Sequence, residues 1–453
     1  MGKARATSIL RNRLITCPKT IAAITVPAAR AIWRLAELGA DMAVSISQAG
    51  GMCVLELQGS SFLMRNSFRD AKISVGEPMK RFWWMIFLLL WAALACANLP
   101  ETPGVVTVEP QGVPTETPAA QPAPGEPIPL QVGYGYRSSF YEVYFTDPFT
   151  PASGWQEGGI DIPLARAIEN ARVSVDVAIY SMSLNSIRDA LLNAHRRGVQ
   201  VRMVMESDNL DRSVPRYLAE KGIPIVGDRR EGLMHNKFVI IDRSEVWIGS
   251  MNFTTSGAYE DNNNLVRIRS AQVAENYLVE FNEMFEGDFF GPDVMPETPY
   301  PQLTIQGVPI EVYFSPDDGV AARIVKLLRG AEASIHFMAY SLTADDFGEI
   351  IRQKEKEGLR VFGVMEEEQV QSNQGGEFAP FQQAGLRVYQ DGNPGQMHHK
   401  VIIIDEKIVI TGSYNFSASA ERKNDENVVI FFDEQIAAQY LAEFERVFAR
   451  AQR

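Results

Sequence analysis

Cysteine is scarce and confined: the 453 residues contain three, Cys17, Cys53 and Cys96, so the 357 residues after Cys96 hold no thiol. No disulfide framework, cysteine-based zinc site or thiol nucleophile can exist there. Histidine numbers only five, and an excess of positive charge is missing as well. The formal net charge is −13 and unevenly spread, with 12 basic and 5 acidic side chains in residues 1–95 but 31 and 51 in residues 96–453. That balance argues against a protein that coats polyanions with a basic surface. What remains has globular proportions, 46% hydrophobic and 22% charged, over a length suited to two or three domains.

Only one long apolar run interrupts this composition. Lys80 and Arg81 precede Phe82 to Ala97 (FWWMIFLLLWAALACA), a charged segment, an apolar core and small residues that together read as a secretory signal over 79–97. Its sixteen residues fall short of the ~20 that span a bilayer. Ala-Leu-Ala-Cys at 93–96 resembles a bacterial lipoprotein cleavage box, with leucine one position later than usual, which would make Cys96 a lipidated N-terminus. Met79 then marks the expected start, leaving 1–78 as a spurious or disordered extension without an evident fold. Residues 98–130 are proline- and threonine-rich with no basic side chain and read as an extended linker. The chain is therefore expected to be exported, extracellular or in the cell envelope, and tethered to a membrane if Cys96 carries lipid.

From about residue 138 the chain repeats itself. Glu142-Val-Tyr-Phe returns at Glu311, Tyr180 is matched by Tyr340, and the Val-Met-Glu that ends at Glu206 returns at Glu366. MHNKFVIIDRSEVWIGSMNFT at 234–254 returns as MHHKVIIIDEKIVITGSYNFS at 397–417, identical at 11 of 21 positions. Each repeat alternates β-branched runs with amphipathic 3.6-residue patterns and closes on a helix, near 273–285 and 434–449. The expected fold is α/β: two pseudo-symmetric mixed-sheet halves, 138–300 and 301–453, packed as one bilobal body.

Polar residues recur at fixed spacing inside the repeat. His235-x-Lys237-x4-Asp242 is followed by Ser250 and Asn252, and His398-x-Lys400-x4-Asp405 by Ser413 and Asn415. Residues two apart on a strand share a face, so histidine and lysine should meet a substrate together, while the aspartate, of opposite parity, braces the turn. Ser250 with Asn252, and Ser413 with Asn415, should present a hydroxyl and an amide to one pocket. His399 has the wrong parity and reads as an exposed neighbour, and His195 and His336, which have no counterparts, read as structural. Phosphodiester cleavage needs a nucleophile, an acid for the leaving oxygen and cations on the non-bridging oxygens; two imidazoles and two lysines supply these without a metal or cofactor.

On these residues the chain resembles the phospholipase D superfamily, whose signature is His-x-Lys-x4-Asp followed by Gly-Ser/Gly-Gly-x-Asn, with likeness to the compact bacterial endonucleases in GSYNFSASAERKNDENVVI. The resemblance implies one active site between the halves, His235 as nucleophile forming a phosphohistidine, and His398 as general acid and base. It also implies an orienting carboxylate after each motif. The second repeat has Glu426 there, expected beside His398; the first has Asn263, expected beside His235, with Asp261 or Glu260 as possible substitutes.

The substrate expected is a phospholipid headgroup of phosphatidylcholine type, since the export signal places the chain at membranes and the acidic 96–453 region repels long nucleic acids. A non-specific exported endonuclease is the alternative, favoured by the compact repeats and the basic pairs Arg196-Arg197 and Arg229-Arg230. A catalytically inactive phosphate-binding module is the third reading, disfavoured because binding alone does not require two histidines. The chain is expected to act as a monomer.

Overall fold

The computed structural model describes residues 43–49, 52–58, 125–293 and 295–453. Two units are distinguished, Met1–Pro114 and Thr115–Arg453. In the first, strand β1 (Ala43–Ala49) pairs antiparallel with β2 (Met52–Gln58), a hairpin within the extension that the sequence left without a fold. The signal segment 79–97, with Cys96, and linker residues 98–124 lie outside the described residues. The linker's expected end at 130 is too late. Glu126–Ile128 forms β3, which pairs with β4 (Tyr134–Arg137), so paired strands are present before residue 138, where the first repeat was expected to begin.

The second unit contains two sheets built alike. One has the order β3-β4-β5-β11-β10-β9-β6-β7-β8, where β5 is Tyr141–Phe145, β6 Ser174–Ile179, β7 Gln200–Met205, β8 Ile225–Gly227, β9 Lys237–Ile241, β10 Glu245–Gly249 and β11 Asn264–Arg269. The other runs β12-β13-β19-β18-β17-β14-β15-β16. Its strands are β12 (Gln302–Ile305), β13 (Val308–Ser315), β14 (Ser334–Ala339), β15 (Arg360–Met365), β16 (Arg387–Gln390), β17 (Lys400–Ile404), β18 (Ile408–Gly412) and β19 (Glu426–Phe432). In each sheet the last three strands are parallel and the others antiparallel. The central strands β9 (KFVII) and β17 (KVIII) are buried throughout, which explains their unbroken apolar runs: both faces are covered.

Helices α1 (Asp161–Glu169) and α2 (Asn185–Arg196) cover the outer face of the first sheet. Ile187, Ala190, Leu191 and Ala194 of α2 form the stripe that meets it. Helices α4 (Val320–Arg329) and α5 (Asp345–Lys356) do the same for the second sheet. The helices that close the repeats, α3 (Ala271–Phe285) and α6 (Glu434–Ala451), line a single core shared by both halves. Ser270 and Asp433 cap them by accepting the Val273 and Ile436 amides. Tyr277 of α3 packs edge-on against Phe314 of β13, and Tyr440 of α6 against Phe145 of β5, each with centroids 5.0 Å apart. Each terminal helix thus reaches the opposite sheet, and the halves are inseparable without exposing this aromatic core.

Candidate active site

The two motif segments and the two segments that follow them meet across the shared interface. The His235 amide donates to the Asp425 carbonyl at 3.0 Å and Asp425 in turn donates to Leu233; His398 donates to Asn262 at 3.0 Å, and Asn262 to Gln396 at 2.7 Å. These short parallel bridges, Met234 with Asp425 and Asn262 with Met397, fix which orienting residue meets which histidine. The pairing is crossed. His235 Nδ1 lies 2.7 Å from Glu426 Oε2, and His398 Nδ1 lies 3.0 Å from Asn263 Oδ1. The expectation that Glu426 serves His398 and Asn263 serves His235 is therefore corrected: each half supplies the partner for the other half's histidine. Asp261 does not substitute either, because its carboxylate accepts the Gln396 amide.

The hydrogen bonds also define the tautomers. Asn263 Nδ2 donates to the Gly257 carbonyl and its Oδ1 accepts the Ser250 hydroxyl at 2.7 Å, so Oδ1 can only accept from His398. His398 Nδ1 is then protonated. Glu426 imposes the same form on His235. Both Nε2 atoms are left without a protein hydrogen bond among the described residues, and in the neutral rings both carry a lone pair.

Lys237 and Lys400 are 1% exposed, and each ammonium donates to the carbonyl of its own motif histidine at 2.9 Å. Each also lies over a tyrosine, Lys237 5.3 Å from the Tyr180 centroid and Lys400 4.4 Å from that of Tyr340. The same tyrosines stand edge-on to His235 and His398. Burial lowers Lys237 to about 7 and, joined by repulsion from Lys237, drives Lys400 well below its ordinary value. His235 is lowered to about 4 by burial, opposed by Glu426, while His398 is pushed well below its ordinary value by burial first and then by both lysines, with no carboxylate to oppose them. His235 is thus the more basic imidazole. Four cation-forming groups lie within electrostatic reach of one another and, among the described residues, only the Glu426 carboxylate is hydrogen-bonded to any of them, an arrangement suited to an anion that restores their charge.

The remaining motif residues divide into supports and wall. Asp242 accepts the amides of Arg172, Val173 and Ser174, and Asp405 those of Glu332, Ala333 and Ser334, so both brace turns, as their parity implied. Ser250 and Ser413 are not pocket hydroxyls. They are fully buried behind the histidine partners, accepting the Asn264 and Asn427 amides. A Cβ on Gly249 or Gly412 would meet the carbonyl oxygen of Asn264 or Asn427 at 2.2 Å, which explains the glycine before each serine. Asn252 and Asn415 each keep a buried Oδ1 without a partner.

His399, expected to be exposed, is fully buried: strand β17 begins at Lys400, so the parity rule does not extend to it. His336 is structural, flanked by Phe362 and Phe444. The basic pair at 229–230 is neutralised, Arg229 by Asp288 at 2.5 Å and Arg230 by Asp425 at 2.6 Å. Sequence reasoning assigned no role to Tyr180, Tyr340, Glu206 and Glu366, although all four stood in matched repeat positions. It also passed over Glu280 and Glu443, whose signal is the shared Tyr-Leu-x-Glu-Phe of α3 and α6. Among the described residues no group of three or more histidine, cysteine, aspartate or glutamate side chains is placed to hold a metal ion.

Two α/β repeats that cross-pair histidines over a lysine-lined centre define a phospholipase D-like protein. The family described as cardiolipin synthase, phospholipase D-like domain, matches residues 164–285 and 324–448, more than half of the chain, and the protein belongs to that family. Similar proteins include the mitochondrial cardiolipin hydrolase of Homo sapiens, 32% identical over 130 residues, or 29% of this chain and 51% of that protein. A phospholipase D of Rickettsia typhi is 36% identical over 31% of this chain and 68% of its own length. The chain thus spans about half the length of the cardiolipin hydrolases it matches. Among solved structures, the phospholipase D family member Nuc from Salmonella typhimurium matches with 30% identity over 31% of this chain and 94% of its own, TM-score 0.29. The phosphatidylserine synthase of Haemophilus influenzae covers 71% of this chain and 88% of its own, with 13% identity and TM-score 0.49.

Proposed function

We propose that the protein hydrolyses phosphodiesters through a phosphohistidine on His235, without a metal, and that its substrates are phospholipids with headgroups of phosphatidylcholine type. One observation carries the reaction: two imidazoles with Nδ1 anchored and Nε2 unengaged, beside two buried lysines. His235 Nε2 attacks phosphorus as the bond to the leaving alcohol breaks, and that oxygen takes the Nε2 proton of His398, which the negative charge of the bound phosphodiester brings from its neutral resting state to the imidazolium form. Water then attacks phosphorus, gives its proton to neutral His398, and the phosphorus–nitrogen bond breaks with its electrons returning to His235. The lysines and the Tyr180 and Tyr340 walls hold the non-bridging oxygens.

Charge supports the lipid reading over the nucleic acid one. Glu206 and Asp208 act on Tyr180, and Glu366, Asp261 and Glu368 on Tyr340, so carboxylates flank both sides of the site. Negative charge so close to the site suits an ammonium-bearing headgroup and disfavours a polynucleotide, and Arg229 and Arg230 are already paired with acids. Lipidation at Cys96 with a 98–124 tether would hold the body at a membrane surface. The test is release of headgroup from phosphatidylcholine vesicles against cleavage of single-stranded DNA, each with EDTA, by the full-length protein. Loss of activity in EDTA that a divalent ion restores refutes the mechanism, and DNA cleavage without lipid turnover refutes the substrate. Residual activity above about a tenth in His235→Ala or His398→Ala refutes the two-histidine scheme.

A further inference from the structure

The buried faces of α3 and α6 carry a glutamate at the same place, Glu280 and Glu443, with Glu283 a second buried one in α3. Neither is explained by packing, and each begins a buried polar chain that crosses between the halves. In one, Glu280 accepts from Asn236 Nδ2 at 3.2 Å, and Asn236 Oδ1 accepts from Asn427 Nδ2 at 2.8 Å. In the other, Glu443 lies 3.2 Å from His399 Nε2, and His399 Nδ1 lies 3.1 Å from Asn264 Nδ2. Asn236 and His399 follow the motif histidines directly and occupy equivalent places.

The second chain runs further. Asn264 Oδ1 accepts from Thr411 and Tyr440, so its Nδ2 is the end that faces His399, whose Nδ1 therefore accepts and whose Nε2 donates to Glu443. Asn264 also donates its backbone amide to Ser250, which donates to Asn263 Oδ1, the acceptor for His398. At the outer end Arg446 holds Glu443 through two bonds of 2.8 and 3.0 Å and lies over Tyr134, 3.9 Å from its centroid. A continuous path of hydrogen bonds thus joins a half-buried arginine to an active-site imidazole.

We propose that His399 is a positioning residue for His398, acting through Asn264, Ser250 and Asn263 and anchored by Glu443 and Arg446. It orients the Asn264 side-chain amide, whose Nδ2 also reaches Ser250 Oγ at 3.5 Å beside the backbone bond, and so keeps the Ser250 hydroxyl directed at Asn263 Oδ1 and that oxygen available to His398 Nδ1–H. His398 needs such anchoring more than His235 does, since its partner is a neutral amide and not a carboxylate. The activity arm of the test rests on the hydrolase reading above; the spectroscopic arm does not.

The other half supplies the diagnostic substitution. His399→Asn installs what Asn236 already does in the equivalent place, accepting from one asparagine and donating to one glutamate. His399→Ala breaks the chain. The expected result is a fall in kcat of about 10- to 100-fold in His399→Ala with KM little changed, and recovery to within about threefold of wild type in His399→Asn. In ¹⁵N-histidine NMR of the unliganded full-length protein, His398 is held in the Nδ1–H form in wild type and His399→Asn, and becomes a mixture of tautomers in His399→Ala. If His399→Ala fails to fold, Glu443→Gln takes its place with the same spectroscopic outcome. An unchanged His398 tautomer in the broken-chain variant, or equal loss in His399→Asn and His399→Ala, overturns the proposal. A wild-type protein inert on every phosphodiester whose His398 tautomer still responds to His399→Ala refutes the hydrolase reading and sustains the positioning role.

Discussion

Replacing Glu426 by Gln separates the two histidines most cleanly. The substitution keeps the shape of a side chain that is fully buried and removes the charge that lies 2.7 Å from His235 Nδ1. A hydrogen bond to a charged group contributes about 1.5–3 kcal/mol, against about 1 for a neutral one. The transition state places positive charge on His235 as its Nε2 lone pair moves to phosphorus, so the carboxylate's contribution grows there. Losing about 1.4–2.8 kcal/mol corresponds to a kcat lower by about 10- to 100-fold. Asn263→Asp is the complementary change, placing a carboxylate 3.0 Å from His398 Nδ1 but setting its second oxygen against the Gly257 carbonyl that Asn263 Nδ2 now serves. It should raise the basicity of His398 while costing about 1–3 kcal/mol of stability. The assay is rapid quench with a p-nitrophenyl phosphodiester, whose leaving group departs without an acid, followed by mass spectrometry of the adduct. Phosphoenzyme should form slowly in Glu426→Gln, at near wild-type rate in His398→Ala, and not at all in His235→Ala. Phosphate mapped to His398 in wild type would falsify the assignment, as would a Glu426→Gln enzyme with unchanged kcat.

The pH dependence follows from the same site. In the free enzyme His235 is held neutral down to about 4, so the acid limb of kcat/KM should lie near there and move lower still in Glu426→Gln, which removes the group that raises it. Lys237, lowered to about 7, loses its charge as pH rises through that value, so kcat/KM should fall above neutrality, with the limb of kcat displaced upward because bound phosphate restores the charge. Because the unfolded chain protonates these groups more readily, stability should decline as pH falls from 10.5 towards 7 through Lys237 and from 6.5 towards 4 through His235. Inorganic phosphate at 100 times its Kd should offset this by about 2.7 kcal/mol in a thermal melt, and no stabilisation would contradict the anion site. Asp242→Ala, which strips the acceptor from three backbone amides, should destabilise by about 2–4 kcal/mol with kcat per folded molecule retained, as denaturation and active-site titration would check.

What the sequence determined by itself was set by short-range rules. The repeats, the alternation of strands and helices, and the bracing role of Asp242 and Asp405 all follow from spacing along one segment, because parity and periodicity act within a few residues. Failures of the sequence reading came where that reach ends. His399 stands just before β17, where strand parity no longer applies, and its surroundings are side chains from β11 and α6. Ser250 and Ser413 turn inward because Asn264 and Asn427 arrive from the neighbouring strand, which spacing within the Gly-Ser-x-Asn motif does not report. The pairing of Glu426 with His235 is decided by the backbone bridges between 233–235 and 424–426, contacts separated by some 190 positions along the chain. A linear motif names the chemical groups and their local faces. Only the packing of two halves about a shared core determines which carboxylate meets which imidazole, and with it which histidine is the more basic.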